Sequence, residues 1–330
     1  DEDGWRRLTG HERHRVLSQA AIALRAARAD LIGTAMAETG KICTEADIEV
    51  SEAIDFTEFY PWAASGLATL PNVQLQGQGT VLVIAPWNFP IAIPCGGIAA
   101  ALAAGNTVIF KPSSDAVLTG YHLCRCFWQA GVSQKTLQFL PCSGADVAPV
   151  LTGDKRVSAI ILTGGTDTGL RILAQSPGVY LAAETGGKNA TIVTDMADRD
   201  QAIKNVLHSA FSNSGQKCSA TSLLILEKSV YDDSRFRRQL VDAAASIRVG
   251  SAWDFATRLG PLIRPPADEL LRGLTSLEPG EEWALTPAMI NGNPQLWSPG
   301  IKYGVRPGSF THLTELFGPV LGVMRAETLN

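Results

Sequence analysis

The sequence predicts an α/β protein made of two successive α/β domains, the first a doubly wound parallel sheet of Rossmann-like type. From residue 81 onward, short β-branched runs alternate with Ala-rich helical stretches, and a second series of the same kind begins near residue 190. Alternation of this type implies a parallel sheet with helices on both faces. A length of 330 residues also suits about two domains. We place the boundary so that residues 1–183 form the first domain and residues 184–330 the second.

Helices are predicted ahead of the first strand. Residues 11–39 carry apolar side chains at helical spacing, and Gly40 supplies a helix stop. A second helix is predicted from Glu45 to Trp62, and we expect it to end near Pro61 because proline cannot donate the next hydrogen bond. Residues 70–79, with their Pro, Asn and Gly, are predicted to be a connecting loop.

Two series of strands and helices follow. In the first, the predicted strands are Val81–Ala85, Thr107–Phe110, Leu137–Leu140, Val157–Leu162 and Val179–Ala183, and the predicted helices are Ile91–Ala104, Asp115–Ala130 and Ala145–Leu151. In the second, the predicted strands are Thr191–Thr194 and Leu223–Glu227, and the predicted helices are Asp198–Ser212 and Asp232–Ile247. After Gly250 the chain is rich in Pro and Gly and predicts no regular element.

Composition and charge exclude several classes of protein. Hydrophobic residues make up 45% and charged residues 18%, which is ordinary for a folded domain. The net charge of −4 argues against a nucleic-acid binder, and no apolar run is long enough to span a membrane. The N-terminus lacks the order of a secretory signal. Six scattered cysteines favour reduced thiols, so we expect a cytoplasmic protein.

A glycine-rich turn follows one predicted strand and opens a helix. It contains Gly164, Gly165 and Gly169, and its free backbone N–H groups could bind phosphate. Thr166 stands where the dinucleotide fingerprint requires glycine, so a merely tight turn is the alternative. A P-loop is excluded, because Lys188 is followed by Asn189 in place of Ser or Thr.

One cysteine has the sequence context of a nucleophile. Cys218 lies just beyond a predicted helix between Lys217 and Ser219, and a neighbouring cation favours the thiolate form. Glu184 ends an apolar strand and could serve as a general base in apolar surroundings. The alternatives are a buried structural cysteine and a surface carboxylate.

An asparagine follows the first predicted strand. Asn88 lies between Pro86 and Pro90, at the edge where open α/β sheets bind ligands. Its amide could donate a hydrogen bond to a developing oxyanion, or it could simply be a turn residue. Metal chemistry is not predicted: His122, Cys124 and Cys126 lie in one helix, where residues two apart do not share a face.

Taken together, these segments resemble the aldehyde dehydrogenase superfamily over essentially the whole chain. The motifs occur in the family's order, namely Pro86–Pro90, Phe110–Ser113, the glycine turn at 164–169, Glu184–Lys188, Gly215–Cys218 and Glu315–Val320. Within the family, residues 184–189, 211–222 and 297–319 look most like the L-glutamate γ-semialdehyde (Δ1-pyrroline-5-carboxylate) dehydrogenases. These include the C-terminal modules of bifunctional proline-oxidising enzymes.

The resemblance implies a cysteine mechanism in the second domain. Cys218 would attack the aldehyde, Asn88 and the Cys218 N–H would stabilise the oxyanion, and Glu184 would activate water for hydrolysis of the thioester. Lys217 and Ser219, beside the nucleophile, are expected to contact substrate.

The resemblance also implies an NAD cofactor bound by the first domain. Cofactor contacts are expected from Trp87, Lys111, Ser114, Gly164, Gly165, Gly169, Glu315 and Phe317. Many relatives carry an acidic residue where this chain has Ser114, so NADP stays an alternative cofactor.

Partners and substrate follow from the same resemblance. We expect a small-molecule aldehyde substrate, a homo-oligomer at full length, and a covalent or functional link to a proline dehydrogenase, with no nucleic acid and no membrane span. The family's catalytic domain continues past the position of Asn330, through a segment that holds the substrate's α-carboxylate and another that forms dimers. Oxidation of another semialdehyde or aliphatic aldehyde is one alternative, and a non-catalytic module is the other.

Overall fold

The computed structural model describes residues 3–145 and 148–328, and the chain divides into two compact units. The first comprises Asp1–Thr39 and Cys43–Thr185, and the second comprises Gly40–Ile42 and Gly186–Asn330. Each unit contains one five-stranded sheet and its own hydrophobic core. No described helix is both long and apolar enough to cross a bilayer.

The sheet of the first unit confirms the predicted doubly wound architecture. Its strands are β1 (Thr80–Ile84), β2 (Thr107–Lys111), β3 (Leu137–Phe139), β4 (Val157–Gly164) and β5 (Tyr180–Thr185). They pair in parallel in the order β3-β2-β1-β4-β5. The chain therefore reverses its direction of winding between β1 and β4, which is the switch point where ligands bind in open α/β sheets.

Seven α-helices are described in the first unit. They are α1 (Gly10–Ala26), α2 (Arg28–Thr39), α3 (Cys43–Ala68), α4 (Ala92–Ala103), α5 (Val117–Gln129), α6 (Ala148–Thr152) and α7 (Thr166–Gln175). A capping box between Thr9 and Glu12 starts α1, and Gly40, with φ 72°, follows the end of α2 as predicted. The predicted helix at 145–151 lies partly outside the described residues.

Two helix predictions in this unit are wrong. The stretch 11–39 is two helices that break at Ala27, where no proline or glycine marks the change of direction. The second helix does not end near Pro61 but continues to Ala68. Proline removes one helical hydrogen bond, but packing of α3 against α1 and α4 holds the backbone in place.

The second unit combines parallel and antiparallel strands. Its strands are β6 (Ala190–Val193), β7 (Leu223–Glu227), β8 (Glu282–Leu285), β9 (Gly300–Tyr303) and β10 (Val320–Ala326), in the order β6-β7-β10-β9-β8. Only the β8–β9 pair is antiparallel among the described strands. The helices are α8 (Arg199–Phe211), α9 (Lys228–Tyr231), α10 (Ser234–Ala245), α11 (Asp268–Thr275) and α12 (Phe310–Leu313).

One helix prediction in this unit is confirmed and one part was misjudged. The helix predicted over 232–247 is α10, which begins at Ser234 because the Asp233 side chain accepts the N–H of Arg235 as its N-cap. The Pro- and Gly-rich part after Gly250 contains β8, β9 and β10. All four residues of β9 are buried, so tertiary pairing with β10 stabilises a strand that is too short to show a periodic pattern.

Candidate active site

Cys218 lies in a turn that begins with an unusual backbone conformation. After α8 a 3-10 turn covers Ser212–Gly215, and its residues Asn213, Ser214 and Gly215 have φ of 49°, 56° and 71°. Left-handed conformations at non-glycine residues cost on the order of 1–3 kcal/mol each and persist only where the surroundings impose them. The chain is therefore held here against its local preference.

Buried hydrogen bonds impose this conformation. Ser214 Oγ donates to the carbonyl of Gly260 at 2.6 Å, and the Gln216 side chain accepts the N–H of Ile263 at 2.9 Å. Asn213 and Gln216 bond to each other's backbone. Because Asn213, Ser214 and Gln216 are buried, breaking one of their bonds leaves an unsatisfied group that costs ~1–3 kcal/mol.

The motif around Glu315 packs directly on this turn. A Cβ at Gly215 would overlap the backbone carbonyl of Gly318, so only glycine allows the two segments to approach so closely. Phe317 has a positive φ of 52° beside this contact. A small cleft is lined by residues of both segments and their neighbours, including Gly215, Lys217, Ser222, Glu315 and Phe317.

Asn189 fixes the backbone on the other side of Cys218. Its side-chain amide donates to the carbonyl of Cys218 at 2.5 Å and to that of Ala220 at 3.2 Å. Its own carbonyl accepts the N–H groups of Ser222 and Leu223. This role of Asn189 was not predicted, although Asn189 directly follows Lys188 at the end of the motif at 184–188.

Glu315 lies against the backbone of Gly186 and Gly187. A Cβ at Gly186 would overlap Oε2 of Glu315, and the N–H of Gly187 bonds to the same carboxylate. Burial raises the pKa of Glu315, while the Gly187 N–H and the charge of Lys188 act against that shift. Within the described part of the chain, Oε1 of Glu315 is buried without a hydrogen-bond partner.

The burial of the Lys188 ammonium group was also not predicted from the sequence. Its Nζ is buried and has no hydrogen-bond partner among the described residues. Burial lowers the pKa of Lys188 to about 8, although the negative charge of Glu315 opposes the shift. No sequence signal predicted this, because burial of a lysine depends on what packs around it.

In the first unit, three loops follow neighbouring strand ends. Asn88 is buried and Trp87 half-buried in the loop after β1, while β2 ends at the buried Lys111 and the loop after it contains the exposed Ser114. Lys111 Nζ donates to the carbonyl of Pro112 at 3.1 Å.

The glycine turn lies beside them at the end of β4. Ile84 of β1 pairs with Leu162 of β4, so the turn at Gly164 and Gly165 begins at the switch point. Gly165 starts α7 without a side-chain cap, and over the described residues no other side chain accepts the first N–H groups of this helix. The buried Gly169 lies in the first turn and packs on Leu162.

Glu184 is exposed on β5, an edge strand, opposite Thr163 of β4. It therefore shares a sheet edge with the glycine turn. Lys217 is half-buried and Ser219 exposed on either side of Cys218 in the second unit.

The six thiols differ in their surroundings. Cys95 and Cys124 are buried, and burial raises their pKa values far above the ordinary range; the pKa of Cys126 rises to about 11 for the same reason. Cys43, Cys142 and Cys218 are partly exposed. The described residues contain no cluster of three or more His, Cys, Asp or Glu side chains that could hold a metal ion.

The two sheets and the cysteine turn define an α/β protein with a candidate nucleophile, and the comparison with known proteins gives the family. The aldehyde dehydrogenase family matches residues 1–330, so the chain belongs to that family. The alignment confirms the resemblance found in the motifs.

Within this family, the chain is similar to several individual proteins of known structure or sequence. Proline utilization A (PutA) from Corynebacterium freiburgense superposes with a TM-score of 0.94 at 44% identity, over 98% of this chain and 33% of that one. The 1-pyrroline-5-carboxylate dehydrogenase from Thermus with bound NAD superposes with a TM-score of 0.89 at 33% identity, over 98% and 66%. The α-ketoglutarate semialdehyde dehydrogenase of Haloferax volcanii is 33% identical over 100% of this chain and 71% of its own length. The chain spans about a quarter of the length of the curated bifunctional PutA relatives that it matches.

Proposed function

We propose that this chain carries the active site of an NAD-dependent aldehyde dehydrogenase whose substrate is L-glutamate γ-semialdehyde and whose product is L-glutamate. The observation that supports it best is the turn at Cys218, held in a strained conformation by buried hydrogen bonds and by close packing on the Glu315–Gly318 segment. Strain of this kind clusters where a side chain must be held in a defined position.

Cys218 is the proposed nucleophile. Its thiolate attacks the aldehyde carbon and forms a thiohemiacetal, whose oxyanion is stabilised by the Cys218 N–H and the Asn88 amide. Each such donor is worth about 3–4 kcal/mol in comparable sites. Loss of hydride leaves a thioester, and Glu184 acts as the general base for the water that releases the acid.

The proposed cofactor is NAD, which supplies the hydride acceptor when bound. The residues fit such a group in two respects. The uncapped N-terminus of α7 after Gly164 and Gly165 suits a pyrophosphate, and the unsatisfied Oε1 of Glu315 suits a ribose hydroxyl. Lys111 and Ser114 would contact the adenosine ribose, and Trp87, Gly169 and Phe317 would line the cofactor. Ser114 carries no charge to exclude a 2′-phosphate, so NADP is a second possible cofactor.

The substrate assignment depends on the relatives. Several are 1-pyrroline-5-carboxylate dehydrogenases or PutA proteins, the latter described as bifunctional. By the same similarity we propose a homo-oligomer, a link to a proline dehydrogenase and a cytoplasmic location. Lys217 and Ser219 are proposed to contact the substrate.

A second candidate substrate is α-ketoglutarate semialdehyde. The relative of that name covers all of this chain at an identity equal to that of the Thermus pyrroline-5-carboxylate enzyme. Both substrates are small aldehydes that carry a carboxylate, so the same cysteine chemistry serves either. Comparison of kcat/KM for the two aldehydes decides between them.

The test of the mechanism separates its two half-reactions. Glu184→Gln should give a burst of NADH near one equivalent per site followed by slow turnover, because the side chain keeps its size but loses its basicity. The loss of general-base catalysis corresponds to ~10²–10⁴-fold in the steady rate. Cys218→Ala should give no burst.

The measurement uses stopped-flow absorbance on this chain and on a version extended past residue 330. Asp195→Asn, which removes an exposed carboxylate from the second unit, is the control. An unchanged burst and unchanged steady rate in Glu184→Gln would remove Glu184 from catalysis. Full activity in Cys218→Ala would overturn the proposed function. NAD binding without turnover in both chain lengths would favour a non-catalytic module.

A further inference from the structure

Two carboxylates from the N-terminal helices α2 and α3 cap the N-termini of α4 and α5, the helices that follow β1 and β2. Glu49 of α3 accepts the N–H groups of Ile91 and Ala92, at the start of α4, at 2.5 and 3.0 Å. Glu38 of α2 accepts the N–H groups of Leu118 and Thr119, in the first turn of α5, each at 2.8 Å. Neither helix is capped by its own N-cap residue, Ile91 or Ala116.

These contacts fix the far ends of two loops. The loop that contains Asn88 begins at Ala85, whose N–H bonds to the carbonyl of Lys111. It ends at Ile91, whose backbone N–H donates a hydrogen bond to the Glu49 carboxylate. With five residues between two anchored ends, the place of Asn88 depends on where α4 begins.

The loop after β2 has the same arrangement. It runs from Lys111 to Ala116 and contains Ser114, and the helix that ends it is held by Glu38. The Thr119 hydroxyl also donates to Glu38 at 2.7 Å. By contrast, α7 begins at Gly165 without a side-chain cap.

We propose that Glu49 and Glu38 are positioning residues, each for a different part of the site. Glu49 fixes the position of the loop that contains Asn88, and so supports oxyanion stabilisation. Glu38 fixes the position of the Lys111–Ser114 loop, and so supports cofactor binding. The inference rests on the roles proposed above for those loops. Neither carboxylate is among the residues proposed above to contact substrate or cofactor. Each acts by satisfying backbone N–H groups that a helix start otherwise leaves unpaired.

The two contacts differ in a way that an isosteric substitution reveals. Glu49 accepts both N–H groups on one oxygen, Oε1. The amide oxygen of Glu49→Gln can therefore accept the same pair. Glu38 uses Oε1 for Leu118 and Oε2 for Thr119. In Glu38→Gln one of these positions becomes an NH₂ group that faces another donor, so this variant cannot restore the contact.

The variants to measure are Glu49→Ala, Glu49→Gln, Glu38→Ala and Glu38→Gln. Glu49→Ala should lower kcat by about tenfold to 100-fold, the scale of a small displacement of a reacting geometry, with the Kd for NAD unchanged. Glu49→Gln should keep amide exchange at Ile91 and Ala92 slower than Glu49→Ala does, because its amide oxygen can accept both N–H groups. Both Glu38 variants should raise the Kd for NAD by about fivefold, as for a lost helix cap.

The control is Glu58→Ala, which removes a carboxylate from the same helix as Glu49. Glu58 contacts Ser18, at 2.9 Å, and His14, both of which lie in α1. Amide hydrogen exchange at Ile91, Ala92, Leu118 and Thr119 provides a readout that does not depend on catalysis. Faster exchange confined to the helix whose carboxylate was removed is the expected result. Unchanged exchange in both alanine variants would overturn the proposal.

A double-mutant cycle separates this proposal from the proposed function. If Glu49 acts through Asn88, Glu49→Ala should have little further effect on kcat in an Asn88→Ala background. Additive effects would overturn the positioning role of Glu49 while leaving the function of Asn88 intact. An unchanged kcat in Asn88→Ala alone would instead refute the oxyanion role, and the role of Glu49 with it. The Glu38 half is decided separately by the Kd for NAD.

Discussion

Gly215 and Gly318 approach so closely that no side chain fits between them. This contact joins two motifs that are far apart in the sequence, the turn before Cys218 and the segment after Glu315. The turn requires glycine at position 215 for two reasons. The φ of Gly215 is 71°, which other residues rarely adopt, and a Cβ there would overlap the carbonyl of Gly318. The proposed nucleophile and the proposed cofactor contact are therefore held by one close backbone contact of the second unit.

Gly215→Ala should accordingly disrupt the turn. Left-handed backbone at alanine costs at least ~1 kcal/mol, and the overlap with Gly318 forces a shift of one segment. We expect a lower urea midpoint together with loss of turnover. Gly33→Ala is the matched control, because Gly33 lies inside α2 with open space around its Cβ position. That change should raise stability by about 0.5–1 kcal/mol.

Asn189→Ala should release the backbone around Cys218. It removes the donor to the carbonyls of Cys218 and Ala220, each of which then loses a partner at a cost of ~1–3 kcal/mol. We expect a large fall in kcat and an altered rate of iodoacetamide labelling at Cys218, measured by peptide mapping with Cys142 as the internal reference. Asn205→Ala, on the exposed face of α8, is the control. Unaltered labelling and kcat would show that the turn holds without Asn189.

Lys188 should make stability depend on pH. Its pKa is about 8 in the folded chain and ~10.4 in an unfolded one. Between these values the unfolded state binds more protons, so the free energy of unfolding rises with pH. The cost of burying the cation is present in full below pH 8 and is lost as pH rises toward ~10.4.

Lys188→Met should therefore be more stable than the original chain at pH 7, by on the order of 1–3 kcal/mol. The advantage should shrink between pH 8 and pH 10. Urea unfolding across this pH range measures the difference in stability and its change with pH. Lys204→Met, at an exposed lysine, is the control. A pH-independent difference between the Lys188 variant and the original chain would contradict a buried cation.

Ser114→Glu should increase the preference for NAD over NADP. A carboxylate at this exposed loop position repels a 2′-phosphate, which carries negative charge, by about 1 kcal/mol. We expect the Kd for NADP to rise about fivefold or more, with little change for NAD. Ser114→Gln has the same size without the charge and should leave the ratio unchanged. If both variants give the same ratio of Kd for NADP to Kd for NAD, residues other than Ser114 distinguish the two cofactors.

Cys218 should be the only thiol whose alkylation abolishes turnover. Cys43 and Cys142 are also partly exposed, but neither lies in a strained turn. Burial protects the remaining three thiols and keeps them protonated. Full activity of protein labelled at Cys218 would refute its role, and Cys43→Ser and Cys142→Ser provide unlabelled controls at the other two positions.

Much of the first unit could be predicted from the sequence, because buried parallel strands such as Val81–Ala85 are short β-branched runs whose pattern is local. The motifs also selected Cys218, Glu184 and Asn88 as candidate site residues by residue type and neighbours, and the order of the motifs indicated the family. Pro61 shows the limit of such local rules, since packing of α3 against α1 and α4 kept the helix intact across a residue that normally ends one.

What the tertiary structure alone decided are the relationships between segments. The left-handed backbone of Asn213 and Ser214 depends on partners such as Gly260, and the burial of Lys188 depends on groups that include Glu315. The caps from Glu38 and Glu49 join helices separated by about 40 to 80 residues. A sequence determines residue types and local periodicity, whereas hydrogen bonding and desolvation depend on which distant groups come within a few ångströms, and that is decided only when the chain packs.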